Sequence, residues 1–155
     1  MDRWQPGADL DALRQRAAVL ASIRAFFEAR GVLEVETPLL CTTGITDPSI
    51  EPLLVERGNS LAAPRDLQTS PEYAMKRLLA AGSGPIFQIA HAFRDDESGR
   101  RHNPEFTLLE WYRPGLDHHA LMDEVGQLVE GLLDRQGSKK YSYRDVFREF
   151  VGLDP

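Results

Sequence analysis

The stretch that decides the fold is residues 93–112, which read FRDDESGRRHNPEFTLLEWY. Apolar runs rich in Ile, Leu, Phe and other aromatic residues lie on either side of its charged middle, at Ile86–Phe93 and Phe106–Tyr112. Such runs, bounded by turn residues, predict two antiparallel strands of a hairpin. The loop between them is far longer than a hairpin requires, and loops of this kind are often functional. Its mixture of acids and bases suits a site that binds a charged ligand.

Before this hairpin, the spacing of apolar residues predicts a helix from Asp9 to about Arg30. Asp9 suits its N-cap, and Gly31 suits a left-handed terminator. A strand that ends at a proline is expected next. The predicted elements that follow the helix are a strand at Val32–Pro38, a loop through Thr42–Pro48, a strand at Pro52–Glu56, a turn at Arg57–Ser60 and a short strand at Asp66–Thr69.

A second helix is predicted from Ser70-Pro71-Glu72 to Ala81, because serine caps, proline fits the first helical position and glutamate complements the helix dipole. Two more helices are expected after the hairpin, one over Asp117–Asp134 and a short one after Ser142 that ends at Gly152. This order of elements predicts an α+β fold, an antiparallel sheet flanked by helices.

Composition and length limit what the chain can be. With 155 residues, 42% hydrophobic and 27% charged, it is expected to form a single domain over residues 1–155. The net charge of −6 argues against broad binding to nucleic acid, which requires a basic face. Cys41 is the only cysteine, no residues stand at metal-ligand spacing, and neither a membrane span nor a signal peptide is recognisable. We therefore expect no metal ligands, no membrane contact and a cytoplasmic location.

The residues of the hairpin themselves suggest a nucleotide site. Arg94 ends the first strand, and His102 with Arg100 or Arg101 lies across the turn. Phe106 shares a strand face with Tyr112, because side chains alternate along a strand. An aromatic ring beside cations offers a base a stacking surface and offers phosphates positive donors. Considered alone, the same residues also fit an ordinary hairpin with solvated charges and a core phenylalanine.

Three collinear segments resemble one enzyme family. FRDDE followed by RHNPEFTLLEWY, to Tyr112, closely resembles motif 2 of the class II aminoacyl-tRNA synthetases, lysyl subgroup. The first helix with Arg30–Pro38 (RGVLEVETP) resembles motif 1, the helix and strand of the dimer interface. Thr69–Leu79 (TSPEYAMKRLL) resembles the segment that helps to bind the amino acid. The resemblance implies a class II catalytic core with motifs 1 and 2.

Two further sequence segments indicate a subgroup within this family. Met75–Gln88 and Glu110–Pro114 resemble the free-standing paralogues of lysyl-tRNA synthetase, which activate (R)-β-lysine and attach it to a lysine of elongation factor P. Motif 1 begins near residue 10, so we expect no anticodon-binding domain, and motif 3 is missing before Pro155. The expectation is the N-terminal half of a catalytic domain that uses ATP and Mg²⁺, forms a homodimer through motif 1 and accepts lysine or (R)-β-lysine.

The resemblance also implies roles for individual residues. Arg94 is the expected catalytic residue, in contact with the α-phosphate of ATP and the amino-acid carboxylate. Glu72 is expected to pair with a substrate ammonium group. Asp96 stands where the family usually has glutamate. The full set of expected ATP-binding residues is Arg94, Asp95, Asp96, His102, Asn103 and Phe106, and the expected substrate-binding residues are Ser70, Pro71, Glu72 and Tyr112.

Two alternatives to the ligase remain open from the sequence. One is a lysyl-tRNA synthetase core that charges tRNA, which the expected absence of an anticodon domain and the negative charge disfavour. The other is a truncated, non-catalytic module that dimerises or binds nucleotide, because a sheet without its second half exposes strand edges and apolar surface.

Overall fold

The computed structural model describes residue 4 and residues 6–56, 64–95 and 99–155. The predicted turn at Arg57–Ser60 and the candidate residue Asp96 lie outside the described residues. In chain order the elements are α1 (Leu10–Glu28), β1 (Leu33–Glu34), β2 (Leu40–Cys41), β3 (Leu54–Val55), β4 (Arg65–Leu67), α2 (Glu72–Ala80), β5 (Ile86–Phe93), β6 (Glu105–Tyr112), α3 (His118–Leu133) and α4 (Tyr143–Val151).

The described chain forms two compact units. One contains residues 27–114, with all six strands and α2. The other combines the residues up to Phe26 with Gly115–Pro155, and so holds most of α1 together with α3 and α4. The mixture of helices and strands is the predicted α+β class, while the expectation of a single domain stays a prediction.

The predicted hairpin is the central feature of the 27–114 unit. Strands β5 and β6 pair antiparallel along eight residues each, from Ile86 opposite Tyr112 to Phe93 opposite Glu105. The hairpin was therefore predicted correctly, with β6 starting one residue earlier than expected. The other neighbour of β5 is β1, which runs parallel to it, with Leu33 opposite Ile86. The sheet is thus mixed rather than wholly antiparallel, because the chain crosses through β2 to α2 before it returns to β5.

A second, antiparallel sheet has the order β2-β4-β3. Its strands pair over only two or three residues, so the strands predicted at Pro52–Glu56 and Asp66–Thr69 are shorter than expected, as is that at Val32–Pro38. Strand β2 was not predicted, because it is only two residues long and is defined by its pairing with β4 rather than by a local sequence pattern. The backbone N–H of Phe93 donates to the carbonyl of Gln68 at 2.9 Å, which connects the end of β5 to the segment after β4.

Aromatic packing forms the core of the 27–114 unit. The Phe27 ring is fully buried and stacks on Phe87, with centroids 4.6 Å apart. The Trp111 ring on β6 also packs against Phe27, with the two ring centroids 5.4 Å apart. Met75 of α2 and Ile86 of β5 are also fully buried. This core fixes the hairpin and the start of α2 relative to one another.

The predicted helix ends are confirmed by local contacts. Asp9 accepts from the backbone N–H of Ala12 at 2.7 Å, and Gly31 after α1 has a positive φ of 65°. Asp117 accepts from Ala120 at the start of α3, and Ser142 accepts from Asp145 at the start of α4. Among the described residues, no helix combines the length and apolar character needed to cross a membrane.

Candidate active site

Arg94 directly follows β5, and backbone and side-chain contacts hold it there. Its N–H donates to the carbonyl of Pro104 at 2.9 Å, across the base of the charged loop. Its Nε donates to the carbonyl of Thr69 at 3.3 Å. The half-buried guanidinium is therefore positioned by both the hairpin and the segment that leads into α2.

The same guanidinium lies over the ring of Phe106, with Cζ 5.1 Å from the centroid. Phe106 is opposite Ala92 in the hairpin, one pair from the end that the loop closes, and it is half-buried. A cation over an aromatic face gains from the ring quadrupole and is held in a defined plane. The predicted combination of a fixed arginine and an aromatic surface is thus present.

Thr69 connects this arginine to the expected amino-acid side of the site, because Ser70 is the next residue. The Ser70 hydroxyl accepts from the backbone N–H of Glu72 at 3.1 Å, but Pro71 rather than Ser70 occupies the N-cap of α2, so the predicted serine cap was wrong by one residue. The Ser70 hydroxyl also donates to Oε2 of Glu110 at 2.6 Å. Ser70 therefore joins the start of α2 to strand β6.

Glu110 has a second hydroxyl partner on its other oxygen. Tyr112 donates from its hydroxyl to Oε1 of Glu110 at 2.6 Å. Burial, followed by this hydrogen bond and the negative charges of Glu110 and Glu72, raises the pKa of the Tyr112 hydroxyl well above its usual range. Ser70, Glu110 and Tyr112 therefore form one hydrogen-bonded group, whose carboxylate is oriented by two hydroxyls.

Glu72 supplies a second carboxylate beside that group. Its Oε1 forms an ion pair with Nζ of Lys76, one helical turn further along α2, at 2.5 Å. The pKa of the Lys76 ammonium is raised, first by the hydrogen bond and charge of Glu72 and further by the charge of Glu110. An ammonium group at this position therefore experiences both carboxylates.

The remaining candidates have different environments. Pro71 is fully buried, so its side chain fixes the start of α2 rather than facing a ligand. The backbone N–H of Asp95 donates to the carbonyl of Glu51 at 2.8 Å. His102 and Asn103 are exposed in the loop, and within the described part of the chain no side-chain hydrogen bond joins them to Arg94 or to the Glu110 group. Asp96 lies outside the described residues.

Glu110 was not among the predicted site residues, although alternation along the strand puts it on the same face as Tyr112. The signal was the alternation itself, since a carboxylate two residues before a candidate tyrosine points to the same side of the strand. Its contact with Ser70 joins residues 40 positions apart, which no local pattern could predict. Lys76 was missed for a simpler reason, because a glutamate and a lysine four residues apart are common on helix surfaces.

Comparison with known proteins agrees with this geometry. The model of the family described as tRNA synthetases class II (D, K and N) matches residues 8–152. A protein of Pasteurella multocida named elongation factor P–(R)-β-lysine ligase is 50% identical over 99% of this chain and 49% of its own length. Proteins of the same name from Pseudoalteromonas translucida and Haemophilus influenzae strain PittGG are 52% and 51% identical over 98% and 100% of this chain.

The chain spans about half the length of the curated relatives it matches, 48% to 49% of each. The match to the family nevertheless runs through both compact units and includes every residue of the group around Arg94 and Glu110. On these grounds, the chain belongs to the class II tRNA synthetases of the D, K and N type.

Proposed function

We propose that this protein uses ATP to activate lysine or (R)-β-lysine as an aminoacyl-adenylate and transfers the aminoacyl group to a lysine of elongation factor P. The observation that carries the proposal is the pair of contacts at Thr69 and Ser70, adjacent residues that contact the Arg94 guanidinium and the Glu110 carboxylate. This arrangement supports Arg94 as the group that binds phosphate and Glu110 as part of the amino-acid site. Relatives about half identical over nearly all of the chain, whose name specifies this ligase, support the choice of substrates.

In the first step, a carboxylate oxygen of the amino acid attacks the α-phosphorus of ATP. A new P–O bond forms, the bond to the bridging oxygen breaks and pyrophosphate leaves. Two anions must approach each other, so the barrier is largely electrostatic. Arg94 suits this task because its planar guanidinium can face both anions, and the Thr69 carbonyl and the Phe106 ring fix its plane. Phe106 is expected to stack on adenine, with Asp95, Asp96, His102 and Asn103 nearer the rest of the nucleotide.

In the second step, the amine of the acceptor lysine attacks the acyl carbonyl, and AMP leaves. Residues 27–114 contribute recognition of the amino acid to this step. Glu72 and Glu110 disfavour a neutral or acidic side chain and favour a cation, as the raised pKa of the Lys76 ammonium indicates. Ser70 and Tyr112 hold the Glu110 carboxylate in one orientation. Action on a translation factor would place the protein in the cytoplasm.

Mg²⁺ is the metal that such a reaction would use, and it would supply positive charge to the phosphates of ATP. Within the described residues, no group of three or more His, Cys, Asp or Glu side chains could hold a metal ion. The proposed roles of Arg94 and its neighbours require no protein-held metal ion.

A homodimer through α1 and β1 forms part of the same proposal. Leu13 of α1 is 50% exposed and Leu33 of β1 is 58% exposed, and both lie in the region that resembles motif 1. Exposed apolar residues on a helix and on an edge strand favour association with a second chain.

The test is amino-acid-dependent exchange of pyrophosphate into ATP. We expect Arg94→Ala to reduce exchange at least a hundredfold, because one lost electrostatic contact to the transition state costs about that much. Arg77→Ala is the matched control, since Arg77 is an exposed arginine in the last turn of α2. Exchange by Arg94→Ala within a few-fold of the unaltered protein would contradict the assigned role.

The acceptor separates the two enzymatic alternatives. Transfer of lysine or (R)-β-lysine to elongation factor P supports the ligase, and charging of tRNA supports a synthetase core. Nucleotide binding without exchange for either amino acid would support the non-catalytic module.

A further inference from the structure

Thr37 and Gln88 form a buried polar pair in the unit that also holds Arg94 and Glu110. Thr37 is 6% exposed, and Gln88 on β5 is 3% exposed. The Thr37 hydroxyl donates to Oε1 of Gln88 at 2.9 Å. Polar groups removed this far from water need hydrogen-bond partners, because an unsatisfied one is costly. The contact therefore fixes both side chains inside the unit.

The backbone after β1 brings Thr37 to this position. The N–H of Val35 donates to the carbonyl of Phe87 at 2.9 Å, which continues the parallel alignment of β1 with β5. Thr37 follows two residues later and meets Gln88, which is 51 positions further along the chain. The pair thus joins the segment after β1 to the central strand of the mixed sheet.

Gln88 also faces the candidate site, because it lies directly opposite Glu110 in the register of β5 and β6. Side chains at opposite positions of an antiparallel pair project from the same face of the sheet, with Cβ atoms about 4.5–5.5 Å apart. Glu110 is the carboxylate that accepts from Ser70 and Tyr112. The buried amide of Gln88 therefore adjoins this hydrogen-bonded group.

The contact with Thr37 determines which end of the amide is free to act. A glutamine amide has an acceptor oxygen at one end and two N–H donors at the other. Since Oε1 accepts from Thr37, the donor end remains, and within the described part of the chain Nε2 has no acceptor of its own. The reverse orientation would turn the amide oxygen toward a carboxylate, which is electrostatically unfavourable. Thr37 thus selects the orientation that suits Glu110.

From this geometry we propose that Gln88 is a positioning residue of the amino-acid site, whose amide N–H, oriented by Thr37, holds the Glu110 carboxylate in place for a cationic substrate. The inference rests on the proposed function. A carboxylate has about four acceptor positions, so Glu110 can accept from Gln88 in addition to Ser70 and Tyr112. Loss of this donor should weaken binding of the amino acid and leave binding of ATP unchanged.

Separate calorimetric titrations with lysine, (R)-β-lysine and ATP test this role. Gln88→Met keeps the length of the side chain and removes both polar ends. We expect it to raise Kd for the diamino acids about tenfold, as for loss of a hydrogen bond to a charged group, and to leave Kd for ATP within about twofold. The fitted stoichiometry reports the folded fraction, so partial unfolding does not imitate the change in Kd.

Thr37 gives a milder, independent pair of variants. Thr37→Val keeps the shape but loses the hydroxyl, and it should raise Kd for the diamino acids about fivefold. Thr37→Ser keeps the donor and should stay within about twofold of the unaltered protein.

Two controls match these changes. Thr107→Val makes the same substitution on β6, where alternation places residue 107 on the opposite face of the hairpin from Glu110. Gln127→Met makes the glutamine substitution at an exposed position of α3. Both controls should leave the affinities for all three ligands unchanged.

The outcomes separate the inference from the function on which it rests. If the unaltered protein binds lysine or (R)-β-lysine and Gln88→Met leaves that Kd unchanged, or raises Kd for ATP by the same factor, the role of Gln88 is overturned and the proposed function stands. Equal losses in Thr37→Val and Thr37→Ser overturn the role of the Thr37 hydroxyl. A Gln88→Met protein that does not fold leaves the decision to Thr37→Val under the same criteria. If the unaltered protein binds neither diamino acid, both the inference and the function are overturned.

Discussion

Tyr112 shows how one side chain reports on the candidate site. Its hydroxyl donates to Glu110, and its surroundings disfavour the phenolate through burial, this hydrogen bond and two nearby negative charges. Because the same carboxylate also accepts from Ser70, the ionisation of Tyr112 senses the whole hydrogen-bonded group. The tyrosine was predicted as a substrate-binding residue from its resemblance to motif 2, but its partner was not.

An alkaline titration tests this environment. Of the four tyrosines, we expect Tyr112 to ionise only at a pH well above the usual value for a tyrosine, about 10. The folded-state pKa of Tyr112 is raised above the unfolded value, so its contribution to stability is present below about pH 10 and is lost as pH rises further.

Absorbance of phenolate near 295 nm, followed against pH in the unaltered protein and in Tyr112→Phe, measures the effect. The late phase should be missing in the variant. Four tyrosines that ionise together in the unaltered protein would contradict the raised pKa of Tyr112.

At the scale of elements, the helices were predicted more accurately than the strands, for a physical reason. Their ends depend on capping residues within a few positions, such as Asp117 and Ser142. The two- and three-residue strands of the second sheet depend on partners far along the chain, as β2 depends on β4. Their boundaries are therefore decided by tertiary contacts that the sequence pattern does not carry.

The C-terminal ends of α3 and α4 provide a matched pair. Asp134 ends α3 in the left-handed region with φ of 49°, whereas α4 ends at Gly152 with φ of 75°. Glycine adopts this conformation without strain, so Asp134→Gly should stabilise the protein by about 0.5 kcal/mol.

Gly152→Ala should destabilise it by about 1 kcal/mol, since alanine is disfavoured at positive φ. Thermal unfolding measures both variants, and a shift of the unfolding midpoint in the same direction for the two substitutions would argue against strain at these helix ends.

At the scale of the molecule, the sequence suggested candidate residues at both ends of the site but not the contacts that connect them. Arg94 and Phe106 could be chosen because each lies at an end of a predicted strand. Ser70 and Glu110 meet only because the aromatic core fixes α2 against β6, a relation that depends on packing rather than on local pattern. The parallel placement of β1 beside β5 was missed for the same reason.

That core can be tested directly. Phe27→Ala should reduce the free energy of unfolding by about 3–5 kcal/mol, because it leaves a cavity beside Phe87 and Trp111. Phe150→Ala is the control, since Phe150 is 77% exposed and its loss should cost less than about 0.5 kcal/mol.

Urea unfolding followed by tryptophan fluorescence measures the difference, because Trp111 contacts the Phe27 ring. Equal midpoints for the two variants would show that Phe27 does not support this core.

The adjacency of Thr69 and Ser70 has a thermodynamic consequence. One peptide group separates the carbonyl that holds Arg94 from the hydroxyl that holds Glu110. A nucleotide that draws Arg94 away from Thr69 would alter the backbone next to Ser70, and an amino acid that shifts Glu110 would act in the reverse direction. Because linkage is reciprocal, whatever factor the nucleotide exerts on the affinity for the amino acid is the factor that the amino acid exerts on the affinity for the nucleotide. The two ligands would then be coupled through a single peptide group, by the same factor in both directions.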